Sequence, residues 1–207
     1  EFLRTLEESG CVGPETSWHP AYIALRDPAR DNQLIGALAF YFKFDSYGEY
    51  VFDHAWADAY MRSGLRYYPK GLVAAPFTPT NGVRILTHPD YEFRTVAGPL
   101  VEAMEHAGEE RGLSSLHLLF VTENESEFLN ERGYLSRLST QFHWFNRGYE
   151  KFDDFLAELR SSKRKQLKKE RRTVADQGLA IEVLTGDAIE PEHMETMYRC
   201  YMDTGRR

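Results

Sequence analysis

Leu116-His117-Leu118-Leu119-Phe120-Val121-Thr122-Glu123-Asn124-Glu125 is the stretch on which the fold turns. Its first six residues are apolar save for one histidine, which reads as a strand covered on both faces, because a half-wet strand would alternate. Thr122, three places before Glu125, offers a capping box for a helix through Phe128 and Leu129 to Gly133. Upstream, Val96, Leu100, Val101, Met104 and Ala107 recur at spacings of three and four, which predicts a helix from Arg94 to Arg111 closed by Gly112. Helix, buried strand and helix in such close succession indicate a crossover unit in a mixed or largely parallel sheet.

Outward from this unit, Glu1 to Ser9 is expected to be helical, and Tyr22 to Leu25 pairs with Leu34 to Phe44 as a hairpin. A short helix is expected over Trp56 to Met61. Gly71 to Ala75 and Val83 to Thr87 are short strands held apart by a turn containing Pro76, Pro79 and Asn81-Gly82. With Ser139 to Phe145 alternating as a last strand, residues from about Pro20 to Phe145 are expected to build one mixed, twisted sheet flanked by helices. From Phe152 the pattern changes to a long helix ending near Gly178, a strand at Ala180 to Leu184, and a helix after Pro191 with Met194, Met197, Tyr198 and Tyr201 on one face. The expected division is therefore an α/β domain over residues 1–149, and a linking basic helix with the truncated start of a second domain over 150–207. Both termini read as cut from something longer.

The 207 residues are 42% hydrophobic and 14% aromatic, enough for a sizeable core, and no apolar run approaches the roughly 20 residues of a membrane span. Two cysteines, Cys11 and Cys200, rule out a disulfide framework, and reduced thiols with no signal-peptide pattern read as cytoplasmic. The net charge of -7 argues against general nucleic-acid binding. Between Arg160 and Arg172, however, eight basic residues stand against one acid, Glu170. Such a strip is either a solvated helix face or a place where Arg and Lys converge on a phosphate.

Leu116 to Val121, with Asn124 and Gly133-Tyr134, resembles the second half of a GNAT acyltransferase domain. Tyr67-Tyr68-Pro69-Lys70 to Pro79, the helix from Lys163-Arg164-Lys165-Gln166-Leu167 to Gly178, and the following strand resemble the Fem-type peptidoglycan aminoacyltransferases. Ser46 to Asp53 with Trp56-Ala57-Asp58-Ala59-Tyr60 and Gln141-Phe142-His143-Trp144 resembles, more specifically, the FemAB-like N-acyltransferases of bacteria, over nearly the whole chain. The resemblance implies a GNAT-like fold in tandem, acting in peptidoglycan chemistry. It implies an acyl or aminoacyl transferase that moves an acyl group directly from an acyl-CoA or an aminoacyl-tRNA to an amine, with a phosphorylated precursor or a tRNA acceptor end as partner. The alternative is a catalytically silent module that recognises a phosphorylated cell-wall precursor or a partner protein. The nearest match to a GNAT pyrophosphate loop is Arg94-Thr95-Val96-Ala97-Gly98-Pro99, where Pro99 has no N–H to offer, so this stretch is not expected to hold CoA in that way.

Acyl transfer to an amine needs a proton acceptor, and the acids of the aromatic block supply candidates: Asp53, Glu49 and Asp58, with His143 on the polar side of its expected strand. Tyr47, Trp56, Tyr68 and Lys70 are the candidate substrate-binding residues of the same block, and Lys163, Arg164 and Lys168 are those of the basic strip. Each acid also has the plainer reading of a surface charge or cap, and each aromatic that of core. His117, among apolar neighbours, reads as a buried, hydrogen-bonded histidine. No spacing suggests a metal site or a covalent nucleophile.

Overall fold

A computed structural model describes residues 1–206 and divides the chain into two units, Glu1 to Gln141 and the residues from Phe142 on. In chain order the first unit holds α1 (Phe2–Glu8), β1 (Trp18–Pro20), β2 (Ile23–Asp27), β3 (Gln33–Leu38), β4 (Phe40–Lys43), α2 (His54–Arg62), β5 (Lys70–Val73), β6 (Ile85–Thr87), α3 (Phe93–Glu110), β7 (Leu116–Leu118) and α4 (Glu123–Glu131). As expected, a mixed sheet is flanked by helices. Its strand order is β1-β4-β5-β7, antiparallel except for the β5–β7 pair.

The expected single sheet is in fact two. The apolar run from Leu34 to Phe44 serves both, because β3 pairs with β2 and β6 in a separate antiparallel sheet, and after Ala39 the chain enters the four-stranded one as β4. Leu38 and Phe40 are both buried, so the run satisfies two ladders in succession without a polar break. β7 is shorter than expected and lies at the sheet edge with half-buried residues, not covered on both sides. Phe120 ends it, since a left-handed residue (φ 54°) turns the backbone out of the extended path.

α3 covers the three-stranded sheet. Val96, Ala97, Leu100, Val101 and Met104 are buried and meet Ile35, Leu38, Phe40, Val73 and Ile85, with Phe128 and Leu129 of α4 in the same core. A Cβ on Gly36 would lie 2.3 Å from a Val96 methyl carbon, so the helix rests on bare backbone there. Gly112 (φ 60°) follows the end of α3, as the spacing predicts. Glu125 ties α4 to β6. Its Oε1 accepts from the Arg84 and Ile85 N–H groups at 2.6 and 2.7 Å, while its Oε2 accepts from the Thr122 N–H and hydroxyl, each at 2.8 Å. The carboxylate of the expected capping box is thus also the link to a strand some forty residues upstream. A second core, Val12, Trp18, Tyr41, Leu72, Ala74 and Leu119, involves alternate residues of β4 and β5.

The second unit contains α5 (Phe152–Glu158), α6 (Ser161–Asp176) and α7 (Pro191–Gly205). The long helix expected from Phe152 is broken at Leu159 (ψ 149°), whose carbonyl accepts from Arg164 Nη2 at 3.2 Å. Asp154 caps α5 by accepting from the Glu150 and Lys151 N–H groups. Neither Ser139 to Phe145 nor Ala180 to Leu184 forms a strand: alternation supplies a face, but a strand also needs a neighbouring backbone to bond, and these segments pair with none among the described residues. Among the described residues no helix is long and apolar enough to cross a membrane.

Because Gly36 sits under Val96 and Leu100, Gly36→Ala is expected to lower stability by about 1–3 kcal/mol through overpacking, read from the urea midpoint at unchanged slope.

Candidate functional site

β4 and β5 bring two lysines together. Lys43 and Lys70 are register partners across the antiparallel pair, and both are fully buried. Neither ammonium can remain inside without partners, since an unpaired buried charge costs far more than packing returns. Lys43 Nζ donates to Ser17 Oγ (3.0 Å), Asp45 Oδ1 (3.0 Å) and the Tyr47 carbonyl (3.1 Å), and lies 4.2 Å from the centre of the Trp18 ring. Lys70 Nζ donates to Glu49 Oε2 (2.8 Å), Asp53 Oδ2 (2.5 Å) and Ser46 Oγ (3.0 Å), with the Tyr67 and Tyr68 rings beside it.

The segment between β4 and α2 supplies these carboxylates. The Tyr47 carbonyl is held by Lys43 and by Trp18 Nε1, and the Gly48 carbonyl by the Phe77 N–H. Beyond it Tyr50 (φ 61°) and Phe52 (φ 49°) adopt left-handed backbone, rare for bulky side chains. This path leaves Glu49 and Asp53 buried and Tyr50 and Phe52 exposed. Asp53 precedes α2 but caps nothing with its side chain. Its Oδ2 is engaged instead by Lys70 and by the Tyr67 hydroxyl at 2.6 Å.

The two carboxyls are driven apart in acidity. Burial raises that of Asp53, but the bonds from Lys70 and Tyr67 and the Lys70 charge outweigh it and hold the group well below the usual range. Burial also raises that of Glu49, and there it prevails over the attraction of Lys70, helped by the charge of Asp53. Burial and the bond to Asp53 push the Tyr67 hydroxyl upward, so it stays a donor. His117, on β7 beside Leu72, is lowered to about 4 by burial and by the nearby Lys70 charge, and its Nε2 lies 2.8 Å from Ser115 Oγ.

The structure therefore gathers Glu49, Asp53, Lys70 and, through a 2.7 Å contact with Ser46 Oγ, Tyr68. Tyr47 and Trp56 are exposed on the same segment and on α2, where Arg137 stacks over the Trp56 ring, and Asp58 is an exposed residue of α2. His143 belongs to the second unit and is exposed beside Phe145. Also in that unit, Lys168 pairs with Asp153 (3.2 Å), Arg164 bonds the Leu159 carbonyl, Arg171 lies over the Phe152 ring, and Lys163 donates to Gln166. Two of the eight basic residues of the strip, Lys168 and Arg171, thus meet side chains of α5. Arg94 to Pro99 is the opening of α3, not a loop, and Glu92 Oε2 already accepts from the Thr95 N–H there. The sequence reading missed Ser46, Tyr67 and Lys43. A lysine closing the aromatic strand Phe40–Lys43 and another opening the buried strand Lys70–Val73 were the available signal for the buried pair.

The model of the FemAB-like family, described as peptidoglycan biosynthesis/recognition, matches residues 1–207. No curated protein matches the chain. Among solved structures the chain is similar to an aminoglycoside N-acetyltransferase, AAC(6')-Iy, in complex with CoA, at 16% identity and a TM-score of 0.40, over 70% of this chain and 88% of that one.

Replacing Lys70 alone strands two buried carboxylates, so Lys70→Met should cost about 3–5 kcal/mol, measured by urea unfolding near neutral pH. The pH profile of stability carries two opposed contributions. His117, depressed to about 4, lets the unfolded chain bind the proton first, so its contribution is complete above the unfolded value of about 6.5 and fades as pH falls toward 4. Glu49, raised, takes its proton first in the folded state, so its contribution is complete below the unfolded value of about 4.3 and fades as pH rises through the folded one. Urea unfolding between pH 4 and 7 should show His117→Gln removing an upward slope and Glu49→Gln removing a downward one.

Proposed function

Because the chain belongs to the FemAB-like family, a family of peptidoglycan biosynthesis and recognition, we propose that it transfers an acyl or aminoacyl group to an amine acceptor. The observation that supports this is the Lys70 cluster, in which one ammonium fixes two carboxylates of opposite tendency. A pair of acids pushed apart in this way is how a protein obtains a base and a permanent anion from the same residue type. Glu49, with its raised pKa, is the proposed base. Asp53 is the permanent anion that, with Ser46, keeps Lys70 in place, so that Lys70 acts as a positioning residue.

In the proposed reaction an acceptor ammonium gives a proton to Glu49, and the freed nitrogen attacks the acyl carbon of an acyl-CoA thioester or an aminoacyl-tRNA ester. A C–N bond forms and the C–S or C–O bond breaks. As that bond breaks the attacking nitrogen loses a second proton, which the leaving sulfur or ribose oxygen takes up, and Glu49 returns the first to solvent, so no covalent enzyme intermediate is needed. Tyr47, Trp56 and Tyr68 are the proposed substrate walls. Asp58 and His143 remain secondary candidates for proton transfer, and Lys163, Arg164 and Lys168 for a phosphate of donor or acceptor. In the same proposal residues 1–149 and 150–207 are a GNAT-like domain and the linking helix with the start of a second, and the setting is cytoplasmic, where both donor classes are made.

A recognition module is the second reading. It is favoured by the closure of the cluster, with Lys70, Glu49 and Asp53 all buried, and by the helical Arg94 to Pro99 segment with its own capping carboxylate. Turnover separates the two. With acyl-CoA and aminoacyl-tRNA donors and a panel of amines, Glu49→Gln should lower kcat by about 10²–10⁴-fold while the circular dichroism and melting of the protein are retained. Absence of transfer with every donor would leave the recognition reading.

A further inference from the structure

Lys43 is matched by Asp45, but Lys70 faces both Glu49 and Asp53, and one oxygen of each carboxylate, Glu49 Oε1 and Asp53 Oδ1, is buried without any hydrogen bond among the described residues. Their side chains are 1% and 2% exposed, so bulk water does not reach them freely. Buried acceptors left open in this way call for a donor. The cluster has a surplus of negative charge, so the donor that completes it is cationic and carries more than one N–H. The segment around it has the same preference. Residues 44–61 contain four acids and no Lys or Arg, and on them Tyr47 and Phe52 are each 75% exposed, Tyr50 51% and Trp56 49%. Exposed aromatic faces beside carboxylates attract cations.

We propose that Glu49 Oε1 and Asp53 Oδ1 form a receptor for a primary ammonium group, entered past the exposed aromatic residues 47–56. Where the amine-acceptor reading holds, on which this assignment of the ligand's role rests, the group bound is the acceptor nitrogen in its protonated form. The ammonium completes both open oxygens, lies beside rather than in place of Lys70, and is then positioned to lose a proton to Glu49. Tetraalkylated nitrogen lacks the N–H groups and is excluded from the receptor, though it still meets the aromatic faces.

The test is carboxyl 13C NMR of the 207-residue chain labelled at Glu and Asp, titrated with methylammonium, and with tetramethylammonium and sodium at matched ionic strength. Saturable movement of the Glu49 and Asp53 resonances with methylammonium alone is the expected result, weakened at least about tenfold in Asp53→Asn or Glu49→Gln. No saturable movement, or equal movement with tetramethylammonium or sodium, overturns the receptor, and this arm needs only the unmutated chain. The reading beneath it is judged separately. Methylammonium binding without any acyl transfer keeps the receptor and removes the acceptor role, whereas transfer whose amine KM is unchanged in Asp53→Asn keeps the reaction and removes the receptor.

Discussion

The ammonium of Lys70 is the constraint around which the first unit is organised. A charge with no exposure to water requires compensating groups within hydrogen-bond reach, and none of its own strand neighbours can supply them. They come from the connection between β4 and α2 and from the residues just ahead of β5. To deliver them, the connection bends through two left-handed aromatic residues, while Tyr67 turns its hydroxyl onto the same carboxylate. Local backbone strain of roughly 1–3 kcal/mol per residue is tolerated because the ionic contacts over-determine the path. A buried ionic cluster of this kind is weak evidence for added stability over a well-packed apolar one.

Glu125 plays the complementary part where α4 meets β6. It is as buried as Asp53, yet all its donors are neutral, three backbone N–H groups and one hydroxyl, and both oxygens are filled. Two buried acids in one unit are thus treated differently: one is saturated and joins α4 to β6, whereas the other shares an ammonium and keeps an oxygen open.

Elements written in short-range patterns were legible from the sequence. The three-and-four spacing from Val96 to Ala107, Gly112 at the helix end, and the Thr122/Glu125 box each depend on neighbours within one or two turns, and each appears where expected. What depends on distant pairing was not legible. Nothing between Leu34 and Phe44 marks Ala39 as the place where the chain changes sheets, because both sides of it are equally apolar. Ser139 to Phe145 has the alternation of a strand without a ladder. The cluster shows the same limit: Glu49, Asp53, Tyr68 and Lys70 stood out by type and crowding, but their meeting at one ammonium needs Lys43 and Lys70 to be in register. The unlike acidities of Glu49 and Asp53 follow only from which donors each oxygen meets.

Lys43 and Lys70, opposite one another on neighbouring strands, also constrain how this sequence can drift. Like charges directly across an antiparallel pair repel, and here each is tolerated only because its own acid is in place. The five residues at 43, 45, 49, 53 and 70 therefore form one heritable unit: loss of Asp45 leaves Lys43 without its carboxylate, and loss of Glu49 or Asp53 leaves Lys70 with one carboxylate instead of two. Substitutions among them should combine far from additively. A lineage leaving this arrangement has few single steps open to it, and the readiest is to lose Lys43 together with Asp45.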